Sequence, residues 1–86
     1  MAHIITTFGK VKDISPKNGE TFSLEELRSI VNGHIEIVRL SNEKYLVCNE
    51  EGKLLGLPIN HLATQLLDNE DYVVGNVLIC NVNQIN

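Results

Sequence analysis

Tryptophan is absent from this chain, and methionine, proline and cysteine are scarce, at one, two and two residues. Two Phe and two Tyr are the only aromatics, so a core has to be assembled from Leu, Ile and Val. No apolar run approaches the ~18–20 residues that a membrane span requires, and no membrane association is expected. Residues 1–9 lack the basic start and long apolar stretch of a secretory leader. Cys48 and Cys80 each sit inside an apolar run, where a lone thiol reads as a small buried hydrophobe in a reducing compartment. No paired Cys or His spacing supplies the four ligands of a zinc site. Neither a metal nor a cofactor is expected, and the chain reads as cytoplasmic.

Positive charge is also sparse. Seven Lys and Arg face eleven Asp and Glu, a net charge of −4, and the isoelectric point is near 5.2. A nucleic-acid binder usually presents a basic face, because neutralised phosphates supply most of its affinity. Only Lys10, Lys12 and Lys17 come close together, so general nucleic-acid binding is not expected. With 86 residues the chain predicts one domain, 1–86. A domain of this size hides only about 60–65% of its unfolded surface. Burial against a second copy would add stability, so a homodimer or higher homo-oligomer is expected.

What is present is a regular alternation of strand and helix signals. Residues 1–11 are rich in branched and aromatic side chains, Gly9 interrupts them, and 10–14 is expected to continue the strand after a bulge or bend. Ser15-Pro16-Lys17-Asn18-Gly19 is turn chemistry. Ser23-Leu24-Glu25-Glu26 fits a capping box, and Leu24, Leu27, Ile30 and Val31 follow at helical spacing. Asn32-Gly33 ends that helix, with Gly33 expected in the left-handed position. Strands are expected at 34–40 and 45–49, joined by a hairpin loop at 41–44. A turn at 50–53, with Gly52 at positive φ, would lead to a third strand at 53–57 that Pro58 stops. Asn60 reads as the cap of a second helix over 61–67, with Leu62, Ala63 and Leu66 available for burial. Residues 68–71 are expected to form a polar loop. The segment 72–80 is apolar on both faces, the pattern of a central, covered strand, and 82–86 reads as a loose tail.

The fold predicted is α+β: a mainly antiparallel sheet of four to five strands with two short helices on one face, the other face largely exposed. Leu24, Leu27 and Ile30 of the first helix, Ile35, Ile37 and Leu46 of the strands, and the 73–79 strand are expected to form the core.

From Phe22 to about Cys80 the order of elements resembles a small family described only as a domain of unknown function. The matching pieces are 24–31 running into Gly33-His34-Ile35-Glu36, then Asn49-Glu50-Glu51-Gly52-Lys53, Leu57-Pro58-Ile59-Asn60 with Ala63, and Val74-Gly75-Asn76-Val77. The resemblance implies a setting in bacteria, bacteriophages and other mobile elements, hence a bacterial host cytosol. It implies no catalytic residues.

His3, His34 and His61 are the available general bases, but no nucleophile elbow, Ser-His-Asp order or phosphate-cradling Gly loop accompanies them. The chain is therefore expected not to be an enzyme. Glu36 sits mid-strand between Ile35 and Ile37. It either pairs with a cation on the neighbouring strand or accepts from ligand hydroxyl or base amino groups. Asn occurs at ten positions; Asn49, Asn60 and Asn76 at element ends either cap backbone or read a polar ligand. Arg28 and Arg39, the only guanidiniums, either form surface ion pairs or clamp a phosphate or carboxylate.

Two roles follow. The first is an accessory binding protein of a mobile element that sequesters a nucleotide-derived signal of host defence, using Arg28, Glu36, Arg39, Asn49, Asn60 and Asn76. The second is an acidic interaction module or inhibitor that presents Glu50-Glu51 or the 68–71 loop to a basic host protein. An enzyme whose residues converge only on folding is a third alternative.

Overall fold

The strand that organises the sheet comes last in the chain. The computed structural model describes residues 2–67 and 70–85. It contains β1 (Ala2–Ile5), β2 (Val11–Ile14), α1 (Leu24–Val31), β3 (Ile35–Leu40), β4 (Lys44–Asn49), α2 (His61–Thr64), β5 (Val77–Asn81) and a closing 3-10 turn, Val82–Gln84. The sheet order is β2-β1-β5-β4-β3, every pair antiparallel. The chain is thus a small α+β fold, as its element pattern predicts. Val77, Leu78, Ile79 and Cys80 are all buried, as a strand apolar on both sides demands, and β5 lies centrally.

Alternation along β5 divides the core in two. Leu78 and Cys80 join Val47, Ala2, Phe22, Leu27 and Val31 beneath α1. Val77 and Ile79 join Ile5, Leu46, Cys48, Val73 and Ala63 of α2. The two helices therefore cover opposite faces, not one face as the sequence suggested. A two-sided apolar strand leaves no face to be exposed. Leu27 and Val31 are the buried residues of α1, while Leu24 is half-exposed and Ile37 lies exposed on edge strand β3.

Several boundaries shift for local reasons. Residues 10–14 do not extend β1 but fold back as β2. The reversal is closed by Thr6 N–H to the Lys10 carbonyl (2.9 Å) and Gly9 N–H to the Thr6 carbonyl (3.0 Å), with Gly9 at φ 82°. Residues 50–56 form successive turns rather than a strand: Leu55 N–H donates to the Glu51 carbonyl and Leu57 N–H to the Gly52 carbonyl. Their side chains accordingly do not reach the core, and Leu54 is 89% exposed. Gly56, not Gly52, takes positive φ there. Gly52 is instead required by space, since a Cβ would lie 2.7 Å from a Val74 methyl. The second helix is regular only over His61–Thr64, which leaves Leu62 and Leu66 partly exposed and Ala63 buried. The ladder of β5 begins at Val77; upstream, Val74 makes only an isolated bridge to Ile59. The tail is tied down, with Phe22 N–H donating to the Gln84 carbonyl (2.7 Å) and Ile85 bridging Phe22 in parallel.

The start of α1 follows its sequence closely. Ser23 Oγ accepts from Glu26 N–H (3.1 Å), and Ser23 N–H donates to Glu26 Oε1 (2.9 Å). Glu26 Oε2 also accepts from Lys17 N–H (3.0 Å), so one carboxylate closes the helix and holds the preceding turn. The Ser23 amide, then the Lys17 amide, hold its pKa below the usual glutamate value. A depressed folded-state pKa gives stability that is present above the unfolded value and lost as pH falls through the folded one. Glu26→Gln should therefore flatten the acid limb of the stability profile below about pH 4.5, measured by urea unfolding from pH 7 to 3. An unchanged acid limb would contradict this role.

Candidate functional site

Covering the second face of the sheet leaves a cleft beside α2. Its floor is Glu36 and Val38 of β3 with Cys48 of β4, and its walls are the 50–54 turns and the return segment before β5. Glu36 stands directly across from Cys48, so its cross-strand neighbour is a thiol and not a cation. The volume is about 210 Å³, room for one side chain or small group. Asn49, Glu50, Lys53, Asp71 and Tyr72 complete the polar lining.

Lys53 and Asp71 are brought together only by the fold. Lys53 Nζ lies 2.7 Å from Asp71 Oδ1 and 4.1 Å from the centroid of the Tyr72 ring. Asp71 Oδ1 also accepts from Tyr72 N–H (2.7 Å). The hydrogen bond to Asp71 raises the Lys53 pKa, and the same bond, followed by that from Tyr72, lowers the Asp71 pKa. Burial, and then the Glu36 carboxylate, push the Cys48 thiol up to about 11. That thiol is protonated at neutral pH and is no nucleophile. Cys80, on the α1 face, is pushed to about 11 by burial; both cysteines are free.

The six ligand candidates do not converge. Glu36 and Asn49 line this cleft, and Asn49 and Asn76 line a second one of about 220 Å³ beside Leu57 and Gly75. Asn49 is a clamp: its Nδ2 donates to the carbonyls of Val31 (3.1 Å) and Asn32 (3.3 Å), and its Oδ1 accepts from Glu51 N–H (2.8 Å). It joins the end of α1 to the turn after β4. Asn32, at φ 61°, is the left-handed residue there, in place of Gly33. Gly33 is needed for clearance instead, because a Cβ would meet Asn49 Nδ2 at 2.8 Å. Asn76 is exposed and its Oδ1 accepts from Thr7 N–H (3.1 Å).

Asn60 is completely buried. Its Nδ2 donates to the carbonyls of Ile5 (3.0 Å) and Gly75 (2.9 Å), and its Oδ1 accepts from Ala63 N–H (3.1 Å). One amide thus caps α2 and satisfies the end of β1 and the loop entering β5. Arg28 is exposed in the last turn of α1, where a cation suits the helix dipole. Arg39 pairs with Tyr45 across the strands, its guanidinium carbon 5.9 Å from that ring. Tyr45 packs on the α1 side of the sheet, the face opposite the cleft. His34 and His61 are exposed, and neither lines it.

Of the acidic surfaces read from the sequence, Glu50 and Asp71 reach the cleft, while Asp68 and Asn69 lie outside the described residues. Lys53 and Tyr72 carried no signal of their own in the sequence. They sit on separate loops, and their meeting depends on where β5 enters the sheet. Among the described residues, no group of three or more His, Cys, Asp and Glu is placed to hold a metal ion, and no helix is long and apolar enough to cross a membrane.

Replacing Asn60 by Ala would strand two carbonyls and an amide in the interior. Each unmet buried group costs about 1–3 kcal/mol. Asn60→Ala should lose roughly 3 kcal/mol or more of unfolding free energy by urea titration. Asn60→Asp keeps the cap acceptor but not the donors, and should also destabilise. Near-native stability of both variants would show that the clamp is dispensable.

No curated protein and no solved structure matches the chain. The family model for DUF3846, a domain of unknown function, matches residues 4–85. That span takes in the end of β1 and all of β2, the Asn49 and Asn60 clamps and the cleft-lining turns, and the chain belongs to this DUF3846 family.

Proposed function

We propose that this protein is a non-catalytic interaction module whose cleft receives a basic side chain of a partner protein. The carrying observation is the composition of the cleft: Glu36, Glu50 and Asp71 surround it, with Tyr72 in the wall and Lys53 as the only Lys or Arg of the lining. Carboxylates beside an aromatic face suit an ammonium or guanidinium, through ion pairing and through attraction to the ring quadrupole. The net charge of −4 adds long-range steering of a basic partner. The mobile-element setting implied by the resemblance makes a host protein the natural target.

A nucleotide-derived ligand is the weaker reading. Its phosphates need converging cations, whereas Arg28 belongs to the helix on the α1 face and Arg39 projects to that same face. Lys53 stands among the carboxylates of Glu36, Glu50 and Asp71, which repel a phosphate. The amide of Asn60 is consumed by backbone.

A fluorescein-labelled Lys/Arg-rich peptide tests the module directly by anisotropy. Wild type should bind it, with affinity falling as salt rises from 50 to 300 mM, and Glu36→Gln/Glu50→Gln should weaken binding by about tenfold, since single exposed pairs contribute up to about 1 kcal/mol. Calorimetry with cyclic and ADP-ribose-type nucleotides should give no heat. Nucleotide binding without peptide binding would reverse the assignment.

A further inference from the structure

The cleft already holds a cation, and it comes from the chain itself. Lys53 lies on the turns after β4, and Asp71, 18 residues further on, lies with Tyr72 on the approach to β5. The ammonium sits 2.7 Å from the carboxylate and 4.1 Å from the ring centroid, the arrangement expected of a cation held in an aromatic and acidic cage. The Glu36 carboxylate adds to the attraction and helps raise the Lys53 pKa.

We propose that Lys53 is an internal competitor for the cleft, and that a partner's lysine or arginine must displace it from Tyr72 and Asp71 to bind. This rests on the basic-partner reading above and adds a regulatory step to it. Lys53 is 47% exposed and Asp71 58% exposed at the side chain. The open ion pair and the contact with the ring together keep the ammonium in place about nine-tenths of the time, and it stays within reach of displacement. The ammonium on its flexible stem can swing into solvent, while the Tyr72 N–H bond to Asp71 Oδ1 keeps the carboxylate beside the ring. Binding that must first remove an occupant is weakened by the fraction of molecules in the occupied state. Neutralising Lys53, by substitution or by acetylation of its amine, should therefore strengthen capture of an external cation.

The probe is Nα-acetyl-lysinamide, with Nα-acetyl-norleucinamide as the uncharged control, titrated while the Tyr72 ring protons are followed by NMR. Lys53→Met keeps the apolar stem and removes the charge, and Lys53→Arg keeps an internal cation. Lys53→Met should bind the lysine probe about tenfold more tightly than wild type. Lys53→Arg should stay within about threefold of wild type, and Lys53→Met/Asp71→Asn should lose the gain. The norleucine control should not move the Tyr72 signals. Equal or weaker binding by Lys53→Met would overturn the internal competitor while leaving the basic-partner reading in place. Absence of binding by every variant, with the wild-type spectrum of the core retained, would overturn both.

Discussion

A strand that is apolar on both faces must lie between two neighbours and under two layers, and β5 imposes that condition on everything before it. Val77, Leu78, Ile79 and Cys80 alternate between two separate clusters of core residues. Burying a branched side chain of this size contributes about 1.5–3 kcal/mol, so neither face can be left to water. The α1 face is covered by a proper amphipathic helix. The other face receives only a four-residue helix, and the rest of its cover is loop: the turns at 50–57 and the segment 70–76. A face roofed by loops rather than by a helix has gaps, and the cleft is one of them.

Loops that roof a core need their backbone groups met from within, and two asparagines do much of this. Asn49 satisfies the carbonyls at the end of α1 and the first turn after β4. Asn60 joins α2, β1 and the approach to β5. The backbone reinforces the second junction, with Asn60 N–H donating to the Val73 carbonyl (2.9 Å) and Gly75 N–H to the Pro58 carbonyl (2.8 Å). Thr64 Oγ1 accepts from Val73 N–H (3.1 Å). These bonds fix where 70–76 runs, and hence where Asp71 and Tyr72 stand relative to Lys53.

Features decided by neighbouring residues were legible in the sequence. The capping box at Ser23, the β3–β4 hairpin and the centrality of the final strand all follow from local chemistry or from a two-sided apolar pattern. Three features were not. Lys53–Leu57 carries strand-like apolar residues, yet Leu54 and Leu55 are exposed, because the i→i−4 and i→i−3 bonds of successive turns win over extension. The face on which α2 lands depends on the parity of β4 and β5 residues far from it. Asn49 and Asn60 look alike as ligand readers or as clamps, and only burial separates the two. The cleft combines all three uncertainties, so its acidic members could be suspected one by one but not assembled. Glu50 and Asp71 were readable as acidic surface; their convergence with Glu36 and Tyr72 was not.

The most direct measurement is an isotope-filtered nuclear Overhauser spectrum of the protein bound to a lysine-bearing peptide. Contacts from the peptide lysine ε-methylene to the Tyr72 ring and to the Glu36 side-chain protons are predicted. Contacts instead to Tyr45 or Arg39, on the α1 face, would contradict a cation-receiving cleft beneath the loop-covered side of the sheet.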